Sequence, residues 1–168
     1  MSAPALRVFP DPILRQKAQR VKVFGPTLTK TIDLLDHIMR SQSHGIGIAA
    51  PQIGILKRIA IVDVSKRVEG AARLVLINPM IVQTWEARPS REGCMSLPDY
   101  TAMIKRYDQV LVRWTNEAGE MTEKKCQGIE AVCVQHEVDH LDGILYLDHV
   151  QSLKRDMIPR ESRPKKRS

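Results

Sequence analysis

The pentapeptide His136–Glu137–Val138–Asp139–His140 constrains this chain more than any other feature. Residues four apart lie one turn apart on one face of an α-helix, so both imidazoles can reach a single ion. Glu137, one step round from His136, can face the same cavity and accept a proton from a water held by that ion. The bland alternative is two surface histidines flanking a solvated glutamate. The setting argues against it: Gly128 opens a helix on which Ile129, Val132, Cys133, His136 and His140 fall on one side.

Two histidines do not complete a site, because a catalytic metal needs a third protein ligand with one position left for water. The extended pattern HExxHxxGxxH is met at Gly143 but fails at its last position, which is Tyr146. His149 reads as a surface residue, and His37 and His44 belong to an earlier helix and its end. The three cysteines, an odd number, argue against a disulfide framework. Cys133 lies in the apolar run Ala131–Val134 and reads as core, while Cys126 near a strand end carries little signal. Cys94 stands apart in Glu92–Gly93–Cys94–Met95–Ser96, without hydrophobic periodicity around it. It is the best remaining ligand, since a thiolate binds divalent transition metals strongly. A further segment, Gly45–Ile46–Gly47–Ile48–Ala49–Ala50–Pro51–Gln52, has paired glycines that let another backbone approach, as in β-strand addition of a peptide. It lacks the Lys-Ser/Thr of a phosphate loop. Gln52 ends an apolar run and needs a partner for its amide.

At 168 residues the chain reads as one domain, able to bury roughly 70% of its unfolded surface without disulfides. Its apolar runs are too short to span a membrane. Arg7 and Asp11 interrupt the start, which does not read as a secretory signal, and no acid-poor leader is seen, so the expected location is cytoplasmic. Apolar spacing predicts a helix over Thr27–Arg40, capped by Thr27 or Thr29. Strands are expected at Ile59–Val64, at Leu74–Val82 with a break at Asn78–Pro79, and at Met103–Trp114. Asn116–Gly119 is then a turn into Glu120–Cys126. Strands followed by a late helix predict an α+β fold, with antiparallel or mixed sheets around the HExxH helix. Residues 1–150 form the expected domain. Residues 151–168 are expected to be a short helix stopped by Pro159 and a basic tail, with seven Lys/Arg against two acids in a chain of net charge +7. Such a tail either solubilises the protein or touches an anionic partner such as RNA.

GIGIAAPQ at 45–52, EGCMS at 92–96 and HEVDHL at 136–141 together resemble, in order, the three motifs of the peptide deformylase family. The likeness runs from Val8–Pro12 to Leu147–Asp148, covering about residues 5–150. It implies hydrolysis of the N-formyl group from the initiator methionine of new polypeptides, releasing formate. Carried over residue by residue, it makes Cys94, His136 and His140 the metal ligands and Glu137 the general base. Metal-bound hydroxide would attack the formyl carbonyl, and the Gln52 amide and Met95 backbone N–H would stabilise the oxyanion. The resemblance further implies that Ile46, Gly47 and Gly93 pair with substrate backbone and that Arg106 lies along the substrate. Ile46, Ile129, Val132 and Cys133 would line the methionine pocket. It favours Fe²⁺ in the cell, with Zn²⁺, Ni²⁺ or Co²⁺ able to substitute, and oxygen sensitivity through Cys94. Met95 stands where the family more often has Leu, with little effect expected on a backbone donor. Lys105 stands where some relatives have Pro, which would alter the pocket rim. Gln135 and Asp139 are expected to pack or orient the helix. Two other readings are a zinc peptidase, disfavoured by Tyr146, and an RNA- or ribosome-binding protein with a structural metal. A structural site usually closes all four positions, whereas three ligands leave one open.

Overall fold

A computed structural model describes residues 4–161 of the chain. The first predicted helix is α1, Pro26–Ser41. It starts at Gly25–Pro26 rather than at a threonine, because proline in the first turn gives up an N–H that has no intrahelical partner anyway. The Thr29 and Thr31 hydroxyls donate back to Gly25 and Thr27 carbonyls instead of capping. Leu28, Ile32, Leu35 and Met39 form its buried stripe, each side chain contributing about 1.5–3 kcal/mol of transfer free energy.

Five strands follow in an antiparallel sheet whose spatial order is their chain order: β1 (Gly47–Ala49), β2 (Ile59–Val62), β3 (Leu74–Cys94), β4 (Leu97–Thr115) and β5 (Met121–Gln127). Side chains alternate between the two faces of a strand. Ile48, Ile59, Ile61, Val75 and Ile77 therefore pack with α1, while Ala49, Ala60, Val62, Leu74 and Leu76 pack with α2, Gly128–Leu141. A helix on each face explains why β2 is buried at every position and reads as an unbroken apolar run.

The strand break expected at Asn78–Pro79 is a bulge inside β3. Asn78 takes φ 51°, the register shifts between Ile77 and Met80, and the Asn78 amide pairs with both the N–H and the carbonyl of Val21. β4 starts at Leu97 rather than Met103, and a two-residue turn, Met95–Ser96, links it to β3. Cys94 pairs with Leu97 across that turn, so it stands at the tip of a long hairpin. The hairpin tip packs on Leu14, Leu145 and Tyr146 in a third apolar cluster.

Beyond residue 150 the one-turn helix α3, Leu153–Asp156, is capped by the Ser152 side chain. The chain does not then leave the domain as a tail. Strand β6, Met157–Pro159, pairs antiparallel with Tyr100–Ala102 of β4. The remainder of the predicted basic tail, residues 162–168, lies outside the described residues. No helix among the described residues is long and apolar enough to cross a membrane.

Candidate active site

The HExxH helix is α2, and it is central: Ala131, Val134, Val138 and Leu141 are buried against the sheet, while Glu137 and His140 are also buried. Its polar face meets the hairpin tip. Cys94 Sγ lies 3.3 Å from His140 Nε2, and that nitrogen lies 3.2 Å from His136 Nε2. Among the described residues, Cys94, His136 and His140 are the one group whose donor atoms could hold a metal ion, all within 4.8 Å of one another. The electrostatics fit a cation. Burial opposes charge on His136, yet Cys94 and Glu92 outweigh it and hold its pKa well above the usual value. Burial and then charged His136 push His140 well below its own. A cysteine sulfur and two imidazoles suit a single transition-metal ion.

Glu137 is 3% exposed, and its Oε2 has no hydrogen-bond partner among the described residues. Burial, reinforced by Glu92 and opposed by His136, pushes its carboxyl up to about 7. Such a group can take and return a proton near neutral pH. Gln52 is pinned in the adjoining single helical turn, Ala50–Ile53. Its Oε1 accepts from the Ala49 N–H at 2.9 Å, which leaves the amide NH₂ to face Ser96 Oγ at 3.1 Å and Cys94 Sγ at 3.7 Å. The partner that the sequence demanded for this amide is therefore local backbone. Met95 follows Cys94 in the turn and also borders the cleft.

The cleft holds about 670 Å³. Ile46, Gly47, Gly93, Ile129, Val132 and Cys133 all line it. Gly47 is required by close approach: a Cβ there would stand 2.6 Å from Glu137 Oε1 and 2.7 Å from Cys133 Sγ. The Cys133 thiol donates to the Ile46 carbonyl at 3.4 Å, joining pocket wall to helix.

Arg106 also lines the cleft. Its guanidinium is 5% exposed and committed to two carboxylates behind His136. Nε and Nη2 donate to the Glu92 carboxylate at 2.6 and 3.0 Å, and Nη1 donates to Asp139 Oδ2 at 2.7 Å. Glu92 Oε1 in turn meets His136 Nδ1 at 2.8 Å, and Asp139 meets His149 Nε2 at 2.8 Å. Burial alone would raise Glu92, but His136 and Arg106 bring it down to about 2. Glu92 thus orients His136, a role the sequence reading did not assign, although its place two residues before Cys94 was the available signal. His149, read as a surface residue, closes the outer end of this chain of pairs. Gln135 bonds Tyr107 N–H and carbonyl, tying α2 to β4 as expected of a packing residue. Tyr146 is 1% exposed and donates to the Tyr100 carbonyl, so the position that holds a ligand in HExxHxxGxxH proteins is here a strut.

Comparison with known proteins gives the family. The family model described as polypeptide deformylase matches residues 4–156. A peptide deformylase from Thermodesulfovibrio yellowstonii is 39% identical over 99% of this chain and 100% of its own. One from Mesorhizobium japonicum is 42% identical, over 94% of this chain and 90% of its own. The crystal structure of peptide deformylase from Thermotoga maritima superposes with a TM-score of 0.82 at 36% identity, covering 90% of this chain and 100% of that one. That from Synechococcus elongatus, solved in complex with actinonin, gives 0.83 at 37% identity, covering 90% and 84%. With a buried Cys-His-His cluster, a buried glutamate beside it and a match over nearly its whole length, this chain belongs to the polypeptide deformylase family.

Proposed function

We propose how this chain performs the reaction of its family, removal of the N-formyl group from nascent polypeptides. Glu137 is the general base, and Cys94, His136 and His140 hold the metal. The observation that carries the reading is the buried carboxylate of Glu137, with one oxygen free beside a three-donor cluster. When bound, the ion would polarise water and the formyl oxygen and bring the water's pKa toward neutrality.

Glu137 takes the proton of the attacking water at its free Oε2. It returns that proton to the amine as the C–N bond of the formamide breaks, leaving formate and a free amino terminus. Gln52 Nε2 and the Met95 backbone N–H donate to the oxygen on which negative charge develops, and preset donors of this kind cost no reorganisation. Gly47, on edge strand β1, and Gly93, on β3, flank the cleft with bare backbone, which fits pairing with an extended peptide. Ile46, Ile129, Val132 and Cys133 receive the methionine side chain, whose unbranched thioether fills such an apolar wall. Buried Glu92 and Arg106 exclude water from behind His136 and fix its ring. The resident ion in the cell is Fe²⁺, with Zn²⁺, Ni²⁺ and Co²⁺ able to replace it. The enzyme works in the cytoplasm during translation, with the basic residues 154–167 contacting ribosomal RNA. For that contact, deletion of 162–168 is the right probe, since residues 157–160 are built into the sheet and its edge. It should weaken ribosome binding steeply at low salt and leave small-peptide turnover in place; unaltered binding would end that part of the reading.

The reaction is tested by formate release from a formyl-Met-Ala peptide, using protein loaded with Fe²⁺ or Ni²⁺ without oxygen. Glu137→Ala should retain the metal and lose turnover by about 10²–10⁴-fold. Metal-loaded wild type that leaves the peptide formylated would overturn the activity, and a variant as fast as wild type would remove Glu137 from its role.

A further inference from the structure

The C-terminal strand carries a cation to the mouth of the cleft. Arg160 follows β6, and its backbone N–H donates to the Asp99 carbonyl at 2.8 Å, extending the β6–β4 pairing by one residue. That anchor is independent of the side chain. From it the guanidinium crosses to β3 and lies against Gly93, so closely that a Cβ on Gly93 would collide with Arg160 Nη2. Gly93 immediately precedes the ligand Cys94. Arg160 is exposed, and no carboxylate among the described residues pairs with it.

The surroundings carry the same sign. Arg67 and Arg91 also line the cleft and are exposed without an ion pair among the described residues. The acids lining it are Glu92 and Glu137, both buried, and Asp108, which lies 3.7 Å from Arg88. Apart from the Arg88–Asp108 pair, the mouth among the described residues therefore carries the unpaired positive charge of Arg67, Arg91 and Arg160, while its floor is balanced.

We infer that Arg160 is a specificity-determining residue that recognises a carboxylate on the second or third residue of the formylated substrate. This rests on the deformylase reading. A peptide with its formyl carbon at the metal cluster advances about 3.4 Å per extended residue along Gly93, so its second and third residues come level with the guanidinium. The methionine side chain enters the apolar pocket, and the next side chain points away from it, toward the rim. A charged fork with free donors there meets a carboxylate bidentately. Nascent chains with Asp or Glu just after the initiator are the substrates favoured.

The test compares kcat/KM for formyl-Met-Glu-Ala-amide and formyl-Met-Ala-Glu-amide with their Gln counterparts, using the metal-loaded holoenzyme. Terminal amides leave the side chain as the one carboxylate. Wild type should prefer Glu over Gln about threefold at one of the two positions, chiefly through KM, as befits an exposed ion pair. The preference should shrink in about 0.5 M salt. Arg160→Gln should bring the ratio to one, and Arg160→Lys should keep part of it. A wild type indifferent to charge, or a preference that survives Arg160→Gln, overturns the inference. So does an equal acceleration of all the peptides by Arg160→Gln, which would mean that the guanidinium obstructs the lane. In each of these cases turnover of the Gln peptides leaves the deformylase reading standing. No turnover of any peptide by wild type would instead overturn that reading, and this inference with it.

Discussion

Arg106 and Arg160 line the same cleft, the first with 5% of its side chain exposed on β4 and the second in solvent just after β6. Arg106 donates three hydrogen bonds to two carboxylates, which keep it charged despite burial. Its charge is spent on geometry, because Glu92 passes the constraint directly to His136. Among the described residues Arg160 is held by its backbone alone, and its charge is left for a partner. The same side chain thus organises a site when its donors are satisfied inside the protein, and reads a ligand when they are not.

The hardest test of this contrast is Arg106→Met. It strands two carboxylates behind the metal site and should destabilise the protein by about 3–5 kcal/mol, read as a lower urea midpoint. A loss under about 1 kcal/mol would mean that Glu92 and Asp139 find other partners and that the brace is incidental.

Glu92→Gln should come next. Its neutral amide keeps the shape but loses the anion that orients His136, so metal affinity should fall about 10–100-fold in a chelator competition. Unchanged affinity would show that His136 needs no orienting group. The same residue gives a pH signature. Its folded pKa, about 2, is depressed from the ordinary value of 4.5, so its stabilising contribution is present above pH 4.5 and is lost as pH falls toward about 2. The stability gap between wild type and Glu92→Gln should therefore narrow across that window. Parallel curves would remove the charge from the account. The smallest effect belongs to the rim: Arg160→Ala should change stability by no more than about 0.5 kcal/mol. A larger loss would show that the guanidinium is structural, and would erase the difference between the two arginines.

Legibility in the sequence followed the range of the interactions. α1 and α2 were readable because helical periodicity is local, and β2 because a short apolar run bounded by polar residues is a strand covered on both sides. Asn78–Pro79 misled because proline usually ends a strand, whereas here the Asn78 side chain satisfies Val21 and turns the interruption into a bulge. The start of β4 was missed because Leu97–Ala102 lacks a run of strand-forming residues and is held by pairing with β3 and β6. Cys94, His136 and His140 were legible as residue types able to hold a metal, and the cleft-lining residues as motif positions. The pairing of Arg106 was not, because nothing within four residues of it in sequence names Glu92 or Asp139 as a partner.

The sequence by itself determined the chemistry on offer: a helix bearing two imidazoles and a carboxylate, a thiol beside a glycine, and a glycine-rich edge ending in an amide. Those follow from covalent spacing and helical pitch, which act over a few residues. Only the tertiary structure decided which groups meet. It carried Cys94 across 42 residues to His136 on the tip of a hairpin, buried Arg106 as a brace, and returned the C-terminal strand to set Arg160 over Gly93. Pairings of that kind depend on strand register and burial, and so exist only once the sheet has closed around α2.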